Sequence, residues 1–160
     1  MTDRLAALAV LSLVPGAARE GALARFYARF EGEPLVVDKW FALQASIPEA
    51  STADRVRRLG KHPAFSLAVP NRVYALLGAF GANITQFNRR DGSGYGLIAD
   101  AVVALDARNP QVAARMLGAF RSWRLMEPGR RALAETALKS IAAGPALSAD
   151  VQEMASRSLR

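Results

Sequence analysis

The sequence predicts an all-α fold, an irregular stack of antiparallel helical hairpins of the HEAT or armadillo type. Three observations carry that expectation. Apolar residues recur at three- and four-residue spacing and nowhere alternate convincingly with period two. Proline and glycine cut the chain into segments of helix length. A proline followed seven residues later by Leu-Gly-Ala-Phe occurs twice, at Pro70 with Leu77 to Phe80 and at Pro110 with Leu117 to Phe120. The two prolines stand 40 positions apart, a period typical of stacked helical pairs.

The first helix is expected from about Asp3 to Val14, capped by Thr2 or Asp3 and stopped by Pro15-Gly16. Its Leu5, Leu8 and Ser12 follow helical spacing. The second, about Ala17 to Phe30, gathers Leu23, Phe26, Tyr27 and Phe30 on one face. The third, about Pro34 to Ser46, has proline in its first turn, where the missing amide costs nothing. Val36, Trp40 and Leu43 face its core side, widened by Val37 and Phe41.

Ser51 and Asp54 resemble a capping box for a short helix ending at Leu59 and Gly60. Pro70 opens the next helix, to about Phe80, closed by Gly81-Ala82-Asn83. After the loop Asp91 to Gly94, the apolar segment Tyr95 to Ala107 reads as a largely buried helix. Pro110 to Trp123 follows, then Pro128 to Ala143 with Leu133, Ala137, Leu138 and Ile141 inside, stopped by Gly144-Pro145. Ser148 caps a final helix whose inner face is Val151, Met154 and Ala155. Short connections make successive helices antiparallel neighbours.

With 160 residues, 51% of them hydrophobic, the whole chain is expected to form a single domain. Absence of cysteine excludes disulfide scaffolds and thiolate metal sites, and one histidine, His62, all but removes histidine-based ones. The missing cysteine fits a cytoplasmic protein. Arg4 is cancelled by Asp3, so the apolar run Leu5 to Val14 is not read as a signal peptide. No run approaches the ~18 apolar residues needed to span a membrane, and no membrane partner is expected. The net charge of +7 sits in scattered arginine groups without a continuous basic stripe, which argues against nucleic acid as a partner.

No His-Glu-x-x-His and no Gly-x-Ser-x-Gly segment is present. His62, in Lys-His-Pro-Ala between two helices, reads as a surface or capping residue. Gly92-Ser93-Gly94-Tyr95-Gly96 lacks the preceding strand of a phosphate loop and reads as a tight helix-to-helix turn. Gln111 and Arg115 are four apart at the start of a helix, so they share a face beside free first-turn amides, a favourable place for a carboxylate. Arg72 and Tyr74 are likewise candidates for binding rather than catalysis.

Several collinear pieces together resemble the C-terminal domain of bacterial aminopeptidase N, the zinc-dependent alanyl aminopeptidases of the gluzincin class. They are Met1 to Leu8, Asp38 to Gln44, His62-Pro63-Ala64-Phe65, Pro70-Asn71-Arg72-Val73, Gly78-Ala79-Phe80, Asp91 to Tyr95 and Arg108 to Ala113. The resemblance implies a helical-repeat domain that closes over a catalytic domain of the same polypeptide and lines the cavity for peptide substrates. Zinc and the catalytic glutamate would belong to an upstream domain, no cofactor to this chain, which is then expected to be a fragment begun at an internal methionine. By the same resemblance Gln111 and Arg115 line the cavity, with Asn71 and Arg72 on the earlier helix. The family pattern places an arginine where this chain has Tyr74, which can hydrogen-bond or stack but brings no fixed charge. The competing expectation is a free-standing helical-repeat scaffold that binds a protein or nucleic acid on its concave surface.

Overall fold

The computed structural model describes residues 1–144 and 146–160, and the described residues contain helices and no strand. The expected stop at Gly144-Pro145 lies partly outside them, at Pro145. The helices are α1 (Thr2–Ser12), α2 (Ala17–Phe30), α3 (Pro34–Ala45), α4 (Thr52–Leu59), α5 (Pro70–Val73), α6 (Ala79–Ala82), α7 (Ile84–Phe87), α8 (Ser93–Asp106), α9 (Pro110–Met116), α10 (Pro128–Ala142) and α11 (Ala149–Leu159). A π turn, Tyr74–Gly78, joins α5 to α6, and 3-10 turns occupy Leu117–Phe120 and Trp123–Leu125.

Two layers emerge from the packing. One runs α3, then the α5–α6 rod, then α9, then α11; the other runs α2, α4, α8 and α10. Within the first layer neighbours are parallel. Arg72 Nη1 lies 2.8 Å from Asp38 Oδ1, while eleven residues on Asn83 Nδ2 donates to the carbonyls of Ala45 and Ile47 at 3.1 and 3.0 Å. In the same sense Tyr74 meets Arg115, Gly78 approaches Met116 and Gly81 approaches Ala119. Each of these three rods begins with proline at N1 or N2, at Pro34, Pro70 and Pro110. The sequence repeat thus reports a structural one, and α3 is its third, unmatched member.

The core between the layers is one continuous apolar cluster, with Phe41, Leu76, Phe80, Ile98, Leu105 and Phe120 wholly enclosed. Burying such side chains contributes ~1.5–3 kcal/mol each against the entropy of ordering the chain. The buried indoles are satisfied: Trp40 Nε1 donates to the Leu23 carbonyl at 2.9 Å and Trp123 Nε1 to the Ser158 carbonyl at 3.0 Å. Arg19 is buried and bridges the α1 end to the α3–α4 connection, donating to the Ser12 carbonyl at 3.1 Å and pairing with Glu20 and Glu49. Asp106 is buried at the end of α8 and accepts from the amide and hydroxyl of Ser148, tying α8 to the start of α11.

Local expectations are corrected at four places. Met1 is the N-cap of α1, and neither Thr2 nor Asp3 caps it, because the helix already includes both. Ser51 makes no cap to α4; it donates to Glu49 at 3.5 Å, and Asp54 pairs with Arg57 at 2.9 Å instead. Leu133 faces outward at 38% exposure and covers Gly92, while the smaller Ala134 takes the buried position. The Pro110 helix ends at Met116 rather than near Trp123, with the remainder wound as separate 3-10 turns. Ser148, by contrast, caps α11 as expected, accepting from the Val151 amide at 3.3 Å.

Candidate functional site

Asn109 and Pro110 build the start of α9 together. The Asn109 side chain accepts from the Val112 amide at 3.1 Å and proline presets the first helical φ. Val112, Ala113 and Met116 turn into the core, which leaves Gln111 and Arg115 exposed one turn apart on the outer face. Across the layer, Arg115 Nη1 donates to the Tyr74 hydroxyl at 3.4 Å. Tyr74 opens the π turn, in which the Ala79 amide reaches back to the Tyr74 carbonyl; such wide turns are frequent at functional sites.

Arg115 stands at the lip of two depressions. A cleft of about 360 Å3 between α9 and α11 is lined by Gln111, Arg115, Asp150, Glu153, Met154 and Arg157. A groove of about 520 Å3 lies between the α5–α6 rod and α9, with Gly78, Gly81, Gly118 and Ala119 keeping its walls low. A Cβ on Gly81 would stand 2.9 Å from that of Ala119, so the close approach of the two rods requires glycine there.

The structure brings Gln111, Arg115 and Tyr74 to one surface, but not all five candidates. Asn71 is exposed in the first turn of α5, one turn before Tyr74. Arg72 points the other way, toward α3. Its side chain is 12% exposed, with Asp38 at 2.8 Å, the Pro34 carbonyl at 3.3 Å and the Phe41 ring 5.4 Å below the guanidinium. The Asp38 contact is ionic rather than a directed hydrogen bond. What the sequence did not reveal is the opposite wall of the cleft, Asp150, Glu153 and Arg157, since nothing local in α11 marks it as a neighbour of α9.

His62 is half-buried among the rings of Tyr27, Trp40 and Phe41, with centroids 4.7, 5.3 and 5.8 Å away. Its Nδ1 accepts from the Ala64 amide at 3.1 Å, a turn cap. Burial, and then the charge of Arg72, lower its pKa, which suits that neutral role. The glycine motif is also structural. Gly92 takes a left-handed φ of 72° before α8, and a Cβ on Gly94 would fall 2.3 Å from the Phe87 carbonyl oxygen. Asp91 accepts from Arg89 and from the amide and hydroxyl of Ser93, which hold its carboxyl well below the usual range.

Among the described residues no three potential ligands cluster to hold a metal ion, and no helix is long and apolar enough to cross a membrane. The molecule is a helical repeat whose outer face gathers Gln111, Arg115 and Tyr74 beside a cleft. A family model described as "Domain of unknown function (DUF3458_C) ARM repeats" matches residues 1–160. Aminopeptidase N of Caulobacter vibrioides is 39% identical over 160 residues, covering 99% of this chain and 18% of that protein. Aminopeptidase N of Haemophilus influenzae is 35% identical over 161 residues and that of Escherichia coli 34% over 160, each again covered over 18% of its length. A crystal structure of Legionella pneumophila aminopeptidase A in complex with aspartic acid superposes with a TM-score of 0.94 at 36% identity, covering 99% of this chain and 19% of that one. The chain belongs to this ARM-repeat family, the C-terminal domain of the aminopeptidase N type, and it spans under a fifth of the length of these relatives.

Proposed function

We propose that this chain is the non-catalytic C-terminal domain of a cytoplasmic zinc metallo-aminopeptidase that removes N-terminal residues from peptides. In this reading residues 1–160 form one domain that caps the active site of a catalytic domain in the same polypeptide. The face carrying Gln111, Arg115, Tyr74 and Asn71 lines the substrate cavity, and Arg72 supports it from behind through Asp38. The observation that carries the reading is the end-to-end likeness to one part of a much longer aminopeptidase.

The residues present do not fit a zinc ion. The one histidine is enclosed by aromatic rings with Nδ1 already engaged, and the described carboxylates do not gather in threes. Zinc chemistry is therefore assigned to the rest of the polypeptide, and this chain's part is to bind, orient and limit access. An arginine fork and an amide side chain on one helix face suit a peptide carboxylate or carbonyl oxygen.

Three measurements test this. The isolated chain, given zinc, is expected to leave an alanyl chromogenic substrate intact; robust turnover overturns the reading. In the complete enzyme Arg115→Ala is expected to raise KM for tri- and tetrapeptides by about five- to tenfold, for loss of charged hydrogen bonds of ~1–1.5 kcal/mol. Unchanged kinetics for short and longer peptides removes Arg115 from the cavity. A native product with the mass of this chain alone would favour a free-standing scaffold.

A further inference from the structure

We propose that the cleft between α9 and α11 is a dipolar subsite, which receives the distal end of a peptide bearing a carboxylate beside a cationic side chain. The proposal rests on the reading of Gln111 and Arg115 as peptide contacts and extends it to the opposite wall of the same cleft.

The α9 wall donates. Arg115 has the neutral Tyr74 hydroxyl as its hydrogen-bond partner and no carboxylate within 4.0 Å among the described residues, so its charge is not compensated at short range. Tyr74 engages one arm of the guanidinium, and the other donors make no hydrogen bond among the described residues. The α11 wall mainly accepts. Asp150, Glu153, Met154 and Arg157 stand at helical spacings of three, four and seven, so they share one face. Glu153 is engaged by Arg157 at 2.8 Å, whereas Asp150 makes no ion pair among the described residues.

The two walls run in the same direction: Asp106, four residues before Pro110, holds Ser148 at the start of α11, while Trp123 and Arg124, beyond the end of α9, reach the Ser158 carbonyl near its end. Asp150 therefore lies toward the Gln111 end, and Arg157 roughly 10 Å further along. An incoming carboxylate takes Arg115 and Gln111, and whatever adjoins it meets Asp150. A second anion there is repelled, while a lysine or arginine completes the charge pattern and lays its apolar stem against Met154. At about 360 Å3 the cleft is at the small end for ligand sites, which limits the occupant to a short terminal segment.

The test uses the complete enzyme and compares kcat/KM for Ala-Ala-Lys and Ala-Ala-Glu, a ratio that cancels the folded fraction of each preparation. The wild type is expected to prefer the lysine peptide. Asp150→Asn should shrink that preference about two- to fivefold, the size of one partly exposed charge pair, and Asp150→Lys should reverse it. A ratio unmoved by both variants, while Arg115→Ala still weakens both peptides, overturns the dipolar subsite and leaves the cavity reading standing. No effect of Arg115→Ala on either peptide overturns the cavity reading and this proposal with it.

Discussion

The segments opening at Pro70 and Pro110 end in the same four residues and wind them differently. Leu77 and Phe80 are buried, as are Leu117 and Phe120, so the tetrapeptide presents the same apolar pair to the core in both places. Yet Leu77-Gly78 completes a π turn that runs on into α6, whereas Leu117 to Phe120 is a single 3-10 turn. The first segment is pinned to α3 at both ends, through Arg72 and Asn83, and is held in a long continuous rod. The second is released after Phe120, whose ring sits against Phe87 and Tyr95, and the chain then turns so that Trp123 reaches α11. Identical residues supply the buried stripe, and the neighbours set how tightly the backbone is wound.

The positions between proline and the tetrapeptide diverge in a way that separates support from the recognition proposed for Arg115. Two residues after proline the first segment has Arg72, turned inward onto Asp38, and the second has buried Val112. Five residues after proline the first has Ala75 and the second has exposed Arg115. One segment spends its cation on the repeat stack, the other presents its cation at the surface.

The largest expected effect probes the closest approach between the two segments. Gly81→Ala forces a Cβ against Ala119 and is expected to cost ~1–3 kcal/mol in chemical denaturation. Gly118→Ala meets nothing within 4 Å and should stay within ~0.5 kcal/mol of the parent. Equal losses at the two glycines would break the comparison, and partial recovery of the Gly81→Ala loss by adding Ala119→Gly would sharpen it.

A middle-sized effect separates the two arginines. Arg72→Ala strands the largely covered Asp38 carboxylate and is expected to lower stability by ~1–2 kcal/mol. Arg115→Ala is expected to leave the melting temperature nearly unchanged while altering peptide kinetics. If both arginines prove equally important for folding, the division into support and recognition fails.

The smallest effect concerns acid. Burial and the Arg72 charge hold His62 below its ordinary value of 6.5, so below that pH the unfolded chain binds more protons than the folded one. Stability therefore rises with pH through the window beneath 6.5 and is lost on acidification. The melting temperature should fall between about pH 7.5 and 5.5, and His62→Gln should flatten that slope. A slope unchanged in the variant would remove His62 as its source.

Much of the helical order was legible in the residues. Pro34, Pro70 and Pro110 each open a helix, Gly60 ends one, and Ser148 caps another, because these residues act through backbone geometry within one turn. The short helix α7 and the π turn escaped, since neither has a local pattern to announce it. The site was half legible. Gln111 and Arg115 are visible as a same-face pair from spacing alone, but Arg72 looks equally free in sequence until α3 brings Asp38 beneath it. Asp150 carries no signal at all without the fold.

By itself, then, the sequence determined that this chain is helical, where most of its helices start, and most of the residues that form a buried stripe. Periodicity, proline and caps depend on atoms within a turn or two, so they can be read along the chain. Only the tertiary structure decided which arginine is consumed by the stack, which helix faces Arg115 across the cleft, and whether Leu-Gly-Ala-Phe winds wide or tight. Those outcomes depend on contacts between residues 38 and 41 positions apart, such as Arg72 with Pro34 and Arg115 with Tyr74, which no local pattern encodes.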